Sequence, residues 1–518
     1  MIKKGLSIHV STLEKMIEGN YIYIDKTEYI YNLFQGISHY YFLSRPRRFG
    51  KSLLISTLKE LFLGNRKLFE NLWIGSSDYD WQQYPVIHLD FSVIDHRTSE
   101  ELQIAIVRKL EKIAHEHTID ISQDPTLGSI LETLVVELSK KNKVVILVDE
   151  YDKPILDHIK NTVEADKQRD VLKNFYDVIK GLDAHLRAFF VTGVSRFSKT
   201  SLFSGMNNLD DLTLDPKAAQ LLGYTQKEIE EYFFQYLQDL AKDKEKTVSE
   251  LMADLKKWYN GYRFSDKNVY VYNPFSLLYS LNKKKFENYW YQSGTPTFLI
   301  HLIKNQYTGI EKIDQKEFGS DGLGNFEINN IPLIPLLFQT GYLTIASYNE
   351  ITGKFKLNFP NYEVELSFTK FLIAALSGSS SSVIDTLGSQ LIYALNTNNI
   401  EKFCSILQTL LAHIPYNLIQ REDYYHTLFQ FLLSLLSLEA QSEIMTNKGR
   451  IDLVVCTTTH IFIFELKINV KPEMALAQIK ERGYYERFLH KGKLVVLVGL
   501  SFVSEKDQVS LRYIQEVI

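Results

Sequence analysis

Five aliphatic residues in a row, Val144-Val145-Ile146-Leu147-Val148, run straight into two carboxylates, Asp149-Glu150. A strand this apolar on both faces has no side to present to water. It belongs in the middle of a parallel sheet with helices above and below. Its neighbours read the same way. Strand patterns at 39–44, 85–91 and 186–191 alternate with helix patterns at 51–62, 99–115, 127–140 and 167–181. Such alternation predicts an α/β fold over residues 1–214, built on a parallel sheet.

Between the first strand and the first of these helices lies Arg45-Pro46-Arg47-Arg48-Phe49-Gly50-Lys51-Ser52. A phosphate-binding loop has the form G-x-x-x-x-G-K-[ST] and needs this strand-to-helix context. Gly50, Lys51 and Ser52 match it, and Arg45 stands where the first glycine would be. In such a loop the backbone amides around Phe49 and Gly50 wrap the phosphates of ATP. Lys51 neutralises them, and the Ser52 hydroxyl holds Mg²⁺. Arg47 and Arg48 add charge-assisted phosphate contacts. The acidic strand end supplies the second half. Asp149 is placed to hold Mg²⁺, directly or through water, and Glu150 to polarise the attacking water. Thr192, at the end of the strand over 186–191, reads as a sensor of that water. Arg196 reads as a group facing the γ-phosphate or a neighbouring subunit. Each piece alone has a plain alternative, such as a helix N-terminus, an acidic turn or a surface charge. The two halves together favour the nucleotide site.

Near the other end, Gly449-Arg450-Ile451-Asp452-Leu453-Val454-Val455 is followed by Ile461-Phe462-Ile463-Phe464-Glu465-Leu466-Lys467. A hairpin of these two runs sets Asp452 beside Glu465. Two carboxylates with the backbone carbonyl of Leu466 make a site for Mg²⁺ or Mn²⁺. Alternation puts Glu465 and Lys467 on one face, where Lys467 orients or activates a water. This is the D-x(n)-E-x-K core of the PD-(D/E)XK nucleases, and Gln478, on the following helix, adds a polar group. The bland alternative is a hairpin with a cross-strand salt bridge. The apolar flanks of both carboxylates argue against it, because buried charge is costly without a role. Glu422 is a candidate further acid and His426 a candidate neighbour. The order strand, strand, helix, strand closes with 494–498.

Residues 215–303 read as mostly helical, the stretch to which the resemblance described below assigns a lid, with Thr225 and Glu228 forming a capping box. A mixed middle segment covers 304–376. The serine-rich stretch at 377–382 is linker-like, and 383–518 form the C-terminal domain. A formal net charge of −4 excludes a uniformly basic nucleic-acid binder but leaves room for a local basic channel. Two cysteines, Cys404 and Cys456, exclude a disulfide scaffold or a cysteine-rich metal site. No signal peptide or membrane span is read, so a cytoplasmic protein is the expectation.

Tyr23-Ile24-Asp25-Lys26-Thr27, the loop at 42–52 and Thr192-Gly193-Val194-Ser195-Arg196-Phe197-Ser198 resemble the bacterial AAA-ATPase-like family. So do Trp258-Tyr259-Asn260-Gly261-Tyr262-Arg263-Phe264, Tyr272-Asn273-Pro274-Phe275-Ser276 and Leu337-Phe338-Gln339-Thr340-Gly341-Tyr342-Leu343-Thr344. In that family the loop usually begins with Arg, as it does at Arg45. The resemblance implies an AAA+-type core with a helical lid. Gly449-Arg450-Ile451-Asp452, Glu465-Leu466-Lys467, Ala477-Gln478-Ile479-Lys480 and Gly483-Tyr484 resemble the PD-(D/E)XK nuclease-like domain found behind it. The expected activity is nucleotide-controlled, metal-dependent cleavage of nucleic acid, DNA first. Two alternatives stay open: a non-cleaving nucleic-acid-binding module, and a switch acting on a protein partner. A homo-oligomer is open too, since AAA+-type sites are often completed by a neighbour.

Overall fold

The computed structural model describes residues 3–36, 38–197, 202–203, 206, 208–292, 299, 316–324, 331–377, 381–411, 439–446, 449–505 and 508–518. The chain divides into two compact units. One comprises Met1–Phe298 and Lys312–Val364, and the other Leu299–Glu311 and Glu365–Ile518.

In the first unit, strands β1 (Tyr40–Ser44), β2 (Val86–Asp90), β3 (Val144–Asp149), β4 (Leu186–Gly193) and β5 (Asp210–Asp211) form one sheet. Its order is β2-β3-β4-β1-β5, and every pairing is parallel. All six residues of β3 are buried, as the aliphatic run requires. Alternate side chains serve opposite layers. Tyr41, Leu43, Val145, Leu147, Ala188 and Phe190 share a core with helices α1 (Leu13–Glu18), α2 (Thr27–Phe34) and α3 (Lys51–Phe62). On the other face Phe189 meets Tyr176 of the helix Thr162–Gly181. The order has one decisive consequence. β4 lies between β1 and β3, so its C-terminal end comes up between the phosphate loop and the acidic strand end.

The helices Gln226–Tyr232, Phe234–Asp243, Val248–Tyr259 and Pro274–Lys283 follow. Capping boxes at Thr225/Glu228 and Thr247/Glu250 start the first and third. Their core takes in Ile22 and Ile24 from the N-terminal segment. The helix Leu333–Thr340 and a small antiparallel sheet complete the unit. Its strands are β6 (Glu317–Phe318), β7 (Thr344–Asn349) and β8 (Lys354–Asn358), in the order β6-β8-β7.

The second unit carries the helices Ser381–Asn396 and Ile400–Leu411 and a five-stranded sheet. Ser381 and Ser382, in the linker-like stretch, lie in the first of these helices. The strands are β9 (Glu439–Thr446), β10 (Gly449–Cys456), β11 (His460–Ile468), β12 (Leu494–Glu505) and β13 (Gln508–Val517), ordered β13-β12-β11-β10-β9. The pattern strand, strand, helix, strand is its centre, with β9 and β13 added as edges. β11 and β12 run parallel, joined by a crossover that includes the helix Pro472–Glu481. Ile461 and Ile463 face that helix, while Phe464 stacks on Phe403 from the opposite side at 5.7 Å.

Candidate functional site

The loop after β1 enters α3 through Gly50, which adopts a left-handed conformation with φ of 92°. Lys51, buried at the start of α3, donates to the carbonyls of Arg45 and Pro46, both at 3.0 Å. Burial pulls the Lys51 ammonium below the usual lysine range, and Glu150, Asp149 and Asp152 oppose that shift. Ser52 is exposed at the head of α3. Arg47 is half-buried, and its carbonyl accepts the Trp290 indole N–H at 3.3 Å. Arg48 is exposed, with its guanidinium 4.8 Å from the centre of the Phe275 ring. Phe49 is buried edge-on against Tyr262 and Phe264.

Arg45 points away from the loop's interior. Its Nη1 donates to the carbonyls of Ser44 and Thr213, both at 2.8 Å, and Nη2 to Ala218 at 3.0 Å. The guanidinium lies 4.2 Å from the centre of the Phe264 ring. With the side chain 1% exposed, Arg45 pins the loop to the segment behind β5.

At the end of β3, Asp149 is buried, and its Oδ1 accepts the Thr192 hydroxyl at 2.7 Å and the Glu150 amide at 3.0 Å. The sheet order thus brings Asp149 and Thr192 into contact. Glu150 takes φ of 51°, a left-handed conformation that costs about 1–3 kcal/mol at a non-glycine residue and often marks a functional turn. Burial raises the Glu150 carboxyl above its ordinary range, with Lys51 pulling the other way. That makes it a stronger proton acceptor. Arg196 forms an ion pair with Asp211 of β5 at 2.6 Å, and its amide donates to the Gln339 side chain at 2.7 Å.

Two features here escape sequence reading. Asp152, 1% exposed, accepts the amides of Val194 and Ser195. A mostly apolar cleft lies beside Gly50, lined by Ile24, Lys26, Leu53, Leu222 and Tyr224 among others. Lys26 on its wall pairs with Glu228 at 2.6 Å.

The second unit has its own polar cluster. Leu453 of β10 lies opposite Phe464 of β11, which brings the preceding residue, Asp452, level with Glu465 and Leu466. Asp452 Oδ2 accepts the Leu466 amide at 2.9 Å. Glu465 is 1% exposed. Its Oε1 accepts Lys467 Nζ at 2.9 Å and also the Gln478 amide N–H. Asp452, Glu465, Leu466, Lys467 and Gln478 are therefore brought together. Glu422 and His426 lie outside the described residues.

Gly499 of β12 pairs with Glu465. A Cβ there would stand 2.4 Å from the Pro472 carbonyl oxygen and 2.9 Å from the Leu476 nitrogen. The bare glycine lets the helix Pro472–Glu481 settle on the sheet and deliver Gln478. No single-residue signal marks it.

The donors offered, two carboxylates and a carbonyl, form an all-oxygen set that fits a hard divalent cation. Among the described residues no group of three His, Cys, Asp or Glu side chains comes together as a metal site. Water or a substrate phosphate would have to complete the coordination. Among the described residues, too, no helix is long and apolar enough to cross a membrane.

Comparison with known proteins matches both regions. Residues 7–203 match the family described as predicted AAA-ATPase, and residues 420–510 match the PD-(D/E)XK nuclease superfamily. A protein from the vnfD 5′ region of Azotobacter chroococcum mcd 1 is 35% identical over 522 residues, covering 98% of each chain. Among solved structures, the Walker-type ATPase PABY2304 of Pyrococcus abyssi aligns with 68% of this chain and 96% of its own. Its identity is 13% and its TM-score 0.34. The Aeropyrum pernix ORC1 protein in complex with DNA aligns with 69% and 96%, at 11% identity and a TM-score of 0.24. Those superpositions are too loose for residue correspondences. By the full-length relative and the two matched regions, the chain belongs to the bacterial AAA-ATPase-like family and carries a C-terminal domain of the PD-(D/E)XK nuclease superfamily.

Proposed function

We propose that this protein binds and hydrolyses ATP at the loop 45–52 and uses its nucleotide state to control metal-dependent cleavage of nucleic acid. DNA is the proposed substrate and the cytoplasm the proposed place. The observation that carries the nuclease half is the convergence of Asp452, Glu465, Lys467 and Gln478 across two strands and a helix. A hairpin stabilised only by a cross-strand salt bridge has no need to place a buried glutamate between a lysine and a glutamine.

In the nucleotide site, Lys51 would move from the carbonyls of Arg45 and Pro46 onto phosphate oxygens. The base would occupy the cleft beside Gly50. Glu150 would accept a proton from the attacking water. Thr192 already donates to Asp149, so its hydroxyl oxygen would be left to accept from that water. Ser52 and Asp149 would hold Mg²⁺, which would supply charge screening for the phosphates.

In the nuclease site, Asp452, Glu465 and the Leu466 carbonyl would hold Mg²⁺ or Mn²⁺, which would lower the pKa of bound water and steady the charged phosphate. Lys467, tied to Glu465, would orient that water and stabilise the developing negative charge. Gln478 would fix the Glu465 carboxylate.

The test is cleavage of single- and double-stranded DNA and RNA with Mg²⁺ or Mn²⁺, with and without ATP. Asp452→Ala and Lys467→Ala should each abolish cleavage, and Lys51→Ala should abolish ATP binding. A purified protein that cuts none of these substrates with either metal would remove the nuclease half. Cleavage indifferent to ATP and to Lys51→Ala would remove the control.

A further inference from the structure

The phosphate loop, the acidic strand end and the end of β4 meet at one short turn, Gly193-Val194-Ser195. From the β1 side, the Arg45 amide donates to the Gly193 carbonyl at 3.1 Å and the Ser44 hydroxyl to the Val194 carbonyl at 2.6 Å. From the β3 side, the Tyr151 amide donates to the Thr192 carbonyl and its hydroxyl to the Ser195 carbonyl, both at 3.0 Å. Asp152 supplies the remaining grip. Its Oδ2 takes the Val194 amide at 3.0 Å and the Ser195 amide at 2.6 Å, and its Oδ1 takes Val194 at 3.2 Å.

Asp152 is an expensive way to hold a turn. It is 1% exposed, and a buried carboxylate costs several kcal/mol unless amides and a cation compensate it. Burial raises its pKa, and the Ser195 amide and the charge of Lys51 work against that. The packing around it has no slack. A Cβ on Gly193 would stand 2.5 Å from the Tyr151 ring and 2.6 Å from Asp152 Oδ1. Thr192, the residue before this turn, is the one whose hydroxyl rests on Asp149.

We propose that Asp152 is a positioning residue for ATP hydrolysis: it locks the turn after β4 so that the Thr192 hydroxyl is held on Asp149. This rests on the ATPase reading above. Asp152 touches neither phosphate nor water in this role. It acts through Thr192, so its loss should slow turnover and spare nucleotide affinity. A side chain that only stabilised the fold would lower the active fraction, and binding stoichiometry would fall in step with turnover.

The experiment compares wild type, Asp152→Asn, Asp152→Ala, Thr192→Ala and Asp152→Asn/Thr192→Ala. Stoichiometry and Kd come from fluorescent ATP and rates from single-turnover hydrolysis. Asp152→Asn keeps the shape, so it should fold; its carbonyl oxygen can still take both amides at the Oδ2 position, but its NH₂ then faces the Val194 amide at the Oδ1 position and the charge that grips the turn is gone. Expected are full stoichiometry, Kd within about 3-fold of wild type, and a rate down about 10- to 100-fold, the range for losing one well-placed group. The double variant should be no slower than Thr192→Ala alone, because the two residues act as a unit. Asp152→Ala should behave like Asp152→Asn, and where it fails to fold, Asp152→Asn alone decides. Wild-type rates in Asp152→Asn, or multiplicative losses in the double variant, would overturn the proposal while the ATPase reading stands. A wild-type protein that never hydrolyses ATP would instead overturn that reading and take the proposal with it.

Discussion

Arg45 occupies a glycine position of the generic phosphate loop, and the structure makes its role testable. Arg45→Ala removes the donors to the buried carbonyls of Thr213 and Ala218 and a guanidinium stacked on Phe264. A buried acceptor left unsatisfied costs about 1–3 kcal/mol, and a desolvated cation–π contact contributes about 2 kcal/mol. Relief of the buried charge's own desolvation offsets part of this. A net loss of about 3 kcal/mol follows, equivalent to a drop of about 4 °C in melting temperature for a unit of this size. The assay is specific, because the chain's four tryptophans, Trp73, Trp81, Trp258 and Trp290, all lie in the first unit. Tryptophan fluorescence therefore follows that unit's melting. At a temperature where the variant is still folded, its ATP affinity should stay within about 3-fold of wild type. Arg45→Gly, which restores the generic motif, should lose stability just as Arg45→Ala does. Lys51→Ala, which also frees two buried carbonyls, should differ in losing ATP affinity outright at a temperature where it is still folded. An Arg45→Ala protein that melts like wild type yet fails to bind ATP would refute the reasoning and make Arg45 a phosphate ligand.

Other perturbations separate the remaining roles. Gly499→Ala puts a methyl against the Pro472 carbonyl, and the helix must move by about 1 Å; overpacking costs about 1–3 kcal/mol. A shift of that size at Gln478 should cut nuclease turnover about 100-fold, and undiminished cleavage would show that the helix position does not matter. Glu363 is fully buried between the Ser276 hydroxyl and the Trp290 amide, and burial pushes its carboxyl up from 4.5 to about 8. The folded state thus holds the proton more tightly than the unfolded chain. This stabilisation is complete below about 4.5 and is lost as pH rises through about 8, by at most about 1.4 kcal/mol per pH unit. Between pH 5 and 9 the wild-type melting temperature should fall relative to Glu363→Gln, and parallel curves would contradict the assignment. Arg196 and Asp211 form a mostly buried pair, so either single alanine variant should cost about 3–5 kcal/mol. The double variant should cost less than the sum, and strictly additive melting shifts would show that the pair is not coupled.

The fold was legible where the sequence signal is local. The run 144–148 announces a central strand, and helix α3 begins and ends where its pattern does. At the far end the two edge strands lack so plain a signal. β9 is a mixed polar segment without a clean period, and an edge strand needs none. β13 does alternate over Val509, Leu511 and Tyr513, but Ile514 breaks the pattern before the strand ends. The candidate sites divide along the same line. Asp149, Thr192, Asp452, Glu465, Lys467 and Gln478 are polar residues at strand ends or beside apolar runs, and their chemistry marks them. Asp152 stands in Asp149-Glu150-Tyr151-Asp152-Lys153-Pro154, where an acid before a helix reads as an exposed cap. Only the sheet order, with β4 set between β1 and β3, makes it a buried acceptor for a turn more than forty residues away. Gly193 and Gly499 are less legible still. Each matters for the atom it lacks, because another piece of backbone or side chain stands where its Cβ would be. Close approach is a property of two segments distant in sequence, so neither segment carries it alone. Both glycines border a candidate site, so a single methyl at either should cost function although no charged group is altered.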